Sequence, residues 1–171
     1  MKNMKKVLVL AIVVLGFAAS SFAQVTATAS TTATIITPIA ITKTVDMNFG
    51  NIAVSPTIAG TVVLPTTGAR TLTGGVTLPV VTGTVTAASF NVTGEGTSTY
   101  SITLPSAAIT LNGTPSGTMT VQNFVSTPSG TGALTGGAQV IKVGATLNVG
   151  AAQTAGIYTN AAGLFVTVNY N

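Results

Sequence analysis

The sequence predicts an all-β fold: an immunoglobulin-like antiparallel β-sandwich of seven to nine strands. Three observations lead there. Apolar and hydroxylated residues alternate with a period of two over much of the chain after residue 23, which sends one set of side chains to a core and the other to solvent. Turn signals interrupt these runs at Gly74-Gly75, Gly94-Glu95-Gly96, Asn112-Gly113, Pro128-Ser129-Gly130 and Gly136-Gly137, the punctuation of hairpins rather than of helices. The alternating residues are rich in Thr and Val, whose branched Cβ packs well on a pleated strand. Many short strands at this spacing describe a sandwich or a barrel.

The first element, residues 1–23, reads as a secretory signal peptide. Lys2, Lys5 and Lys6 precede the apolar run from Val7 to Ala19, and Ser21-Phe22-Ala23 supplies the small-x-small exit that a signal peptidase reads. The run is shorter than the about 20 residues a spanning helix needs, so no integral membrane span is expected once the signal is removed. Cleavage after Ala23 removes 23 of 171 residues and leaves 148, enough for one domain with its own core. It also removes three of six basic residues against two acidic ones, so the formal charge falls from +4 to +1. The remaining cations, Lys43, Arg70 and Lys142, are far apart in sequence. Nucleic acid and an anionic membrane surface both require a clustered basic face; neither is an expected partner.

Residues 24–44 form the second element, an N-terminal extended strand. Val25, Ala27, Ala29, Ala33 and Ile35 fall on one face of it, with Thr31 interrupting, and Gln24, Thr26, Thr28, Ser30, Thr32 and Thr34 on the other. A terminal amphipathic strand of this kind can add to the sheet of a neighbouring molecule, which makes it a candidate donor strand. Burying Val25 and Ile35 contributes about 3–6 kcal/mol, and ten backbone hydrogen bonds contribute about 1 kcal/mol each. Ordering a dozen residues costs about 12–24 kcal/mol. Donation therefore needs an acceptor groove that is already formed.

The third element, residues 45–171, is the sandwich domain. Within it Ala88, Phe90 and Val92 alternate with Ser89, Asn91 and Thr93; Tyr100, Ile102 and Leu104 with Thr99, Ser101 and Thr103; and Met119 and Val121 with Thr118, Thr120 and Gln122. The longest run sets Ile141, Val143, Ala145, Leu147 and Val149 against Lys142, Gly144, Thr146 and Asn148, and Leu164, Val166, Val168 and Tyr170 close the chain in the same way. An outer-membrane β-barrel is the rival architecture, since it also alternates. Such barrels carry aromatic girdles at both interfaces, whereas aromatics here are only 5% of residues, and most of the strands look shorter than the about 9–11 residues needed to span.

Chemistry is excluded by inventory. The chain has no His and no Cys, and Asp46 and Glu95 are its only side-chain carboxylates. General acid–base catalysis needs a titratable group at the reacting atom, and a serine nucleophile lacks a histidine partner. Zinc and calcium need sets of His, Cys or carboxylate ligands. No enzyme activity, catalytic residue, metal or cofactor is expected. Charged residues are only 5% of the total against about 25% in an ordinary domain. Exposed strand edges are normally guarded by charge, so self-association is the expected behaviour.

Two segments carry a family resemblance. Asp46-Met47-Asn48-Phe49-Gly50-Asn51-Ile52 looks like the opening strand of an uncharacterised bacterial secreted-protein family, a domain of unknown function. Val143 to Val149 followed by Ala155-Gly156-Ile157-Tyr158-Thr159 is similar to that family's ending. Both ends also resemble spore coat protein U and the archaic chaperone–usher pilins, in which an F-G motif opens the domain and G-x-Y-T precedes a last strand with a penultimate Tyr, here Tyr170. The residues carrying the likeness are Asp46, Asn48, Phe49, Gly50, Asn51, Gly156, Tyr158 and Tyr170.

The resemblance implies a pilin-like, incomplete sandwich completed by a neighbour's N-terminal strand. It further implies a periplasmic chaperone and an outer-membrane assembly factor as partners, and a secreted or cell-surface location reached via the periplasm. The absence of Cys departs from the many pilins that carry a disulfide. The expected function is a structural subunit of an extracellular or cell-surface fibre or matrix. The alternative is a monomeric secreted adhesin, a module binding carbohydrate or protein.

Overall fold

The structure is a computed structural model that describes residues 24–171; the expected signal peptide, residues 1–23, lies outside the described residues. The chain divides into two units, Met1–Ile35 and Ile36–Asn171. In the first, the described residues 24–35 carry no strand and are exposed throughout. Alternation there marks a face without pairing it, because Ala27, Ala29 and Ala33 offer little apolar surface.

The second unit is all-β. Its strands are β1 (Ala40–Val45), β2 (Ala53–Val54), β3 (Gly60–Leu64), β4 (Thr71–Gly74), β5 (Val76–Thr77), β6 (Ala88–Thr93) and β7 (Thr99–Thr103). They continue with β8 (Ile109–Thr114), β9 (Thr118–Thr127), β10 (Thr131–Ala133), β11 (Ala138–Val149), β12 (Ile157–Thr159) and β13 (Thr167–Tyr170). Nine of the thirteen strands among the described residues have four or more residues; the other four are short pairings at turns and edges. The expected sandwich of antiparallel strands is the fold, and every strand pair in it is antiparallel.

β11 is the spine. Its first half pairs with β6 and its second half with β3, while β9 runs along the other edge. The large sheet therefore follows the order β1-β6-β11-β9-β8-β12, with β4 and β3 branching from β11. A three-stranded sheet, β10-β7-β13, and a two-stranded ribbon, β2-β5, complete the unit. The path of the large sheet has open ends at β1 and β12, whereas a membrane barrel closes its sheet into a ring.

The alternation read from the sequence becomes burial. Ala88, Phe90 and Val92 on β6, Tyr100 and Ile102 on β7, Ile141 and Val143 on β11, and Val168 on β13 join Leu134 in one core. A second core gathers Val62 and Leu64 on β3, Val121 on β9, and Ala145, Leu147 and Val149 on β11, with Phe49 and Val76. Met47 and Phe124 pack against both. Phe124 reaches the interior because the β9–β11 register shifts beside it, between Gly144 and Thr146. Asn123, with φ of 52°, takes up the extra residue. A bulge of this kind flips the phase of a strand, so Val121 and Ser126 both face inward on β9.

Two sequence expectations are corrected. The sandwich does not begin at residue 45: β1 (Ala40–Val45) takes in the last five residues of the 24–44 segment and pairs along β6, because Ile39 and Ile41 pack against the first core. Nor is Asp46–Ile52 an opening strand. It pairs only through an isolated bridge, Asn48 to Thr86, because the Asn48 side chain accepts the Gly50 N–H at 2.8 Å and Gly50 sits at φ of 68°. That conformation belongs to turns.

Candidate functional site

The residues that carry the family likeness occupy three places, and no hydrogen-bond partner is common to two of them. The first is a clasp between two loops. Asn48 exchanges backbone hydrogen bonds with Thr86 at 2.8 and 3.0 Å. The Asn51 N–H donates to the Thr82 carbonyl at 2.8 Å, and its side-chain amide donates to the Val81 carbonyl at 3.1 Å. Phe49 is buried in the second core. Arg70 donates to the Phe49 carbonyl and, at 3.1 Å, to the Asn51 carbonyl, so the sole arginine of the chain fastens this loop. Asp46 pairs with Lys43 at 2.5 Å; both side chains are exposed, and such pairs contribute little stability.

The second place is the corner before β12. The Tyr158 hydroxyl donates to the Thr154 carbonyl at 2.6 Å and accepts from the Gln153 amide at 2.8 Å. At Gly156 an added Cβ would strike the Thr114 carbonyl, so β12 can lie against β8 only with glycine there.

The third place is a latch at the root of the N-terminal arm. Tyr170, the penultimate residue, donates its hydroxyl to the Thr37 carbonyl at 2.8 Å and accepts the Glu95 N–H at 2.6 Å. The Thr37 N–H in turn donates to the Glu95 carboxylate at 3.0 Å. That bond holds the Glu95 carboxyl below its ordinary value of 4.5, since it favours the charged form. In the core beneath, burial pushes the Tyr100 hydroxyl above its ordinary value of 10.0, and it donates to the Gln139 side chain at 2.6 Å.

The candidate donor face is displayed rather than packed. Val25 is 90% and Ile35 is 97% exposed, and Ala27, Ala29 and Ala33 are exposed with them. In the second unit the margins of the two main sheets carry a single neighbour each: β1 pairs with β6, and both β10 and β13 pair with β7. Among the described residues no three His, Cys, Asp or Glu side chains are grouped in a way that could hold a metal ion, and no helix is long and apolar enough to cross a membrane.

Sequence reasoning missed Thr37, Glu95 and Arg70 as partners of the motif residues. Glu95 was legible only as part of a Gly-x-Gly turn, and Arg70 only as a dispersed cation. The available signal was rarity, because an isolated charge in so uncharged a chain must either reach water or satisfy a specific backbone group.

Comparison with known proteins adds the family level. A family model described as a domain of unknown function (DUF4402) matches residues 39–170, from just before β1 to the last residue of β13. No curated protein and no solved structure matches the chain.

Proposed function

This chain belongs to the DUF4402 family, a domain of unknown function, and we propose that it is a structural subunit of an extracellular or cell-surface fibre or matrix, assembled by donation of its N-terminal strand. The observation that carries the reading is the arm: residues 24–35 alternate apolar and polar side chains except at Thr31, yet make no strand, and Ile35 stands 97% exposed. The matched domain begins at residue 39, so this arm is additional to the family core. Extended segments of this type bind by main-chain hydrogen bonds to a sheet edge, with alternate side chains filling pockets. The single-neighbour margins at β1 and β13 are edges of the sort that accept a strand.

Low charge supports the same reading. Edge strands in monomeric proteins are kept apart by Lys and other charges, and here, among the described residues, Lys43 and Lys142 are the only charged ones within strands. The likeness of the motif residues to spore coat protein U and archaic chaperone–usher pilins supports export through the periplasm, with a chaperone and an outer-membrane assembly factor as partners.

The test is deletion of Gln24–Ile35, which leaves the Thr37 latch in place. Unheated samples on a denaturing gel, with negative-stain images, should change from ladders and fibres to a monomer of unchanged β-sheet content. Fibres that persist without the arm reject strand donation; a full-length chain that is monomeric at all concentrations rejects the polymer itself.

A further inference from the structure

Where β11 ends at Val149, the outer surface of the large sheet is notched, leaving a cavity of about 590 Å³ between the starts of β3 and β9. Clefts of about 300–1,000 Å³ hold small ligands. One transverse row of side chains crosses it in register: Thr73 lies opposite Thr61, Thr61 opposite Asn148, and Asn148 opposite Thr120. Gln153 reaches in from the turn after β11, and Met119 supplies an apolar patch. None of the lining residues is ionisable.

These groups are held in place by one another. The Thr61 and Thr73 hydroxyls share a hydrogen bond of 2.7 Å, and the Asn148 amide donates to the Thr120 hydroxyl at 3.1 Å. The Gln153 amide donates to the Tyr158 hydroxyl at 2.8 Å and to the Thr118 carbonyl at 3.1 Å. Its turn is strapped down by the Ala152 N–H, which donates to the Ser55 carbonyl at 2.9 Å. With both amide nitrogens engaged, Asn148 Oδ1 and Gln153 Oε1 are left as acceptors beside hydroxyls that both donate and accept. These acceptors are fixed before a ligand arrives, which lowers the cost of binding.

We propose that this notch is a binding site for a neutral saccharide. The ligand must be uncharged, because no counter-charge lines the notch and desolvating an unpaired charge is costly. It must carry adjacent groups that both donate and accept, and C–H faces to cover Met119. Vicinal hydroxyls on a sugar ring meet both conditions. The site does not depend on strand donation, since no residue of the arm takes part. It gives a corner motif residue, Tyr158, the task of positioning Gln153.

The test is saturation-transfer NMR on the full-length chain with maltotriose and triacetylchitotriose as neutral probes and trigalacturonate as the anionic one. At least one neutral probe should receive saturation, with dissociation constants near ~1 mM. Gln153→Ala should weaken it by about fivefold or more, and Asn148→Ala likewise, with circular dichroism unchanged. Thr42→Ala, on β1, should leave binding as it was. If Asn148→Ala disturbs the sheet, Gln153→Ala decides alone, since Gln153 lies outside the strands. No transfer to either neutral probe at about 20 mM overturns the proposal. So does tighter binding of trigalacturonate, or a Gln153→Ala variant that binds like the parent.

Discussion

The hydroxyl of Tyr170 donates to the carbonyl of Thr37 at 2.8 Å, across 133 positions of sequence. It ties the last strand to the root of the N-terminal arm, and the Glu95 N–H completes the junction at 2.6 Å. Tyr170→Phe removes both bonds while keeping the ring. At about 1 kcal/mol per bond, it should cost about 1–2 kcal/mol in urea unfolding and speed protease cleavage near Thr37.

The latch should also respond to acid. Hydrogen bonding from Thr37 lowers the Glu95 carboxyl in the folded state, so its contribution is present above the ordinary value of 4.5 and is lost as pH falls through the lowered folded value. Hydrogen exchange at the Thr37 amide should lose protection over that interval. Glu95→Gln should show no such step; a step of the same size in that variant would assign it to another group.

At alkaline pH the sign reverses. Burial raises the Tyr100 hydroxyl above 10.0, so its contribution is full below that value and is lost as pH rises through the folded-state value. Base-induced unfolding of the parent should therefore begin near the ordinary tyrosine range. In Tyr100→Phe the pH dependence attributable to this group should vanish, although stability at neutral pH falls because Gln139 keeps only the Ala133 N–H of its two donors.

Glycines separate two kinds of constraint. Gly50 has φ of 68°, and a Cβ there would strike the Thr82 carbonyl; Gly96 has φ of 43° with nothing within 4 Å. Gly96→Ala should cost about 1 kcal/mol, the backbone penalty alone. Gly50→Ala should cost more, because the loop clasp at Asn51 must open. Equal melting shifts for the two would refute the clasp.

Core and arm should differ sharply. Ile141 is fully buried, so Ile141→Ala should cost about 2–5 kcal/mol. Ile35→Ala, at a site 97% exposed, should fall within about 0.5 kcal/mol of the parent. Chemical denaturation of both variants under conditions that keep the chain monomeric checks this.

The sequence by itself determined which side chains go inside. Period-two alternation at Phe90 and Val92, Tyr100 and Ile102, or Ile141 and Val143 translates directly into burial, because a strand has only two faces and each residue chooses one. The turn glycines were legible for the same local reason. Tertiary structure alone decided the rest. β11 exchanges one neighbour for another halfway along its length, and the bulge at Asn123 turns Phe124 into both cores. Asp46–Ile52 leaves the sheet, and Thr37, Glu95 and Tyr170 meet from three distant stretches. Such pairings depend on register and on hydrogen bonds between remote segments, and no local pattern encodes which partner a lone carboxylate or a penultimate tyrosine will find.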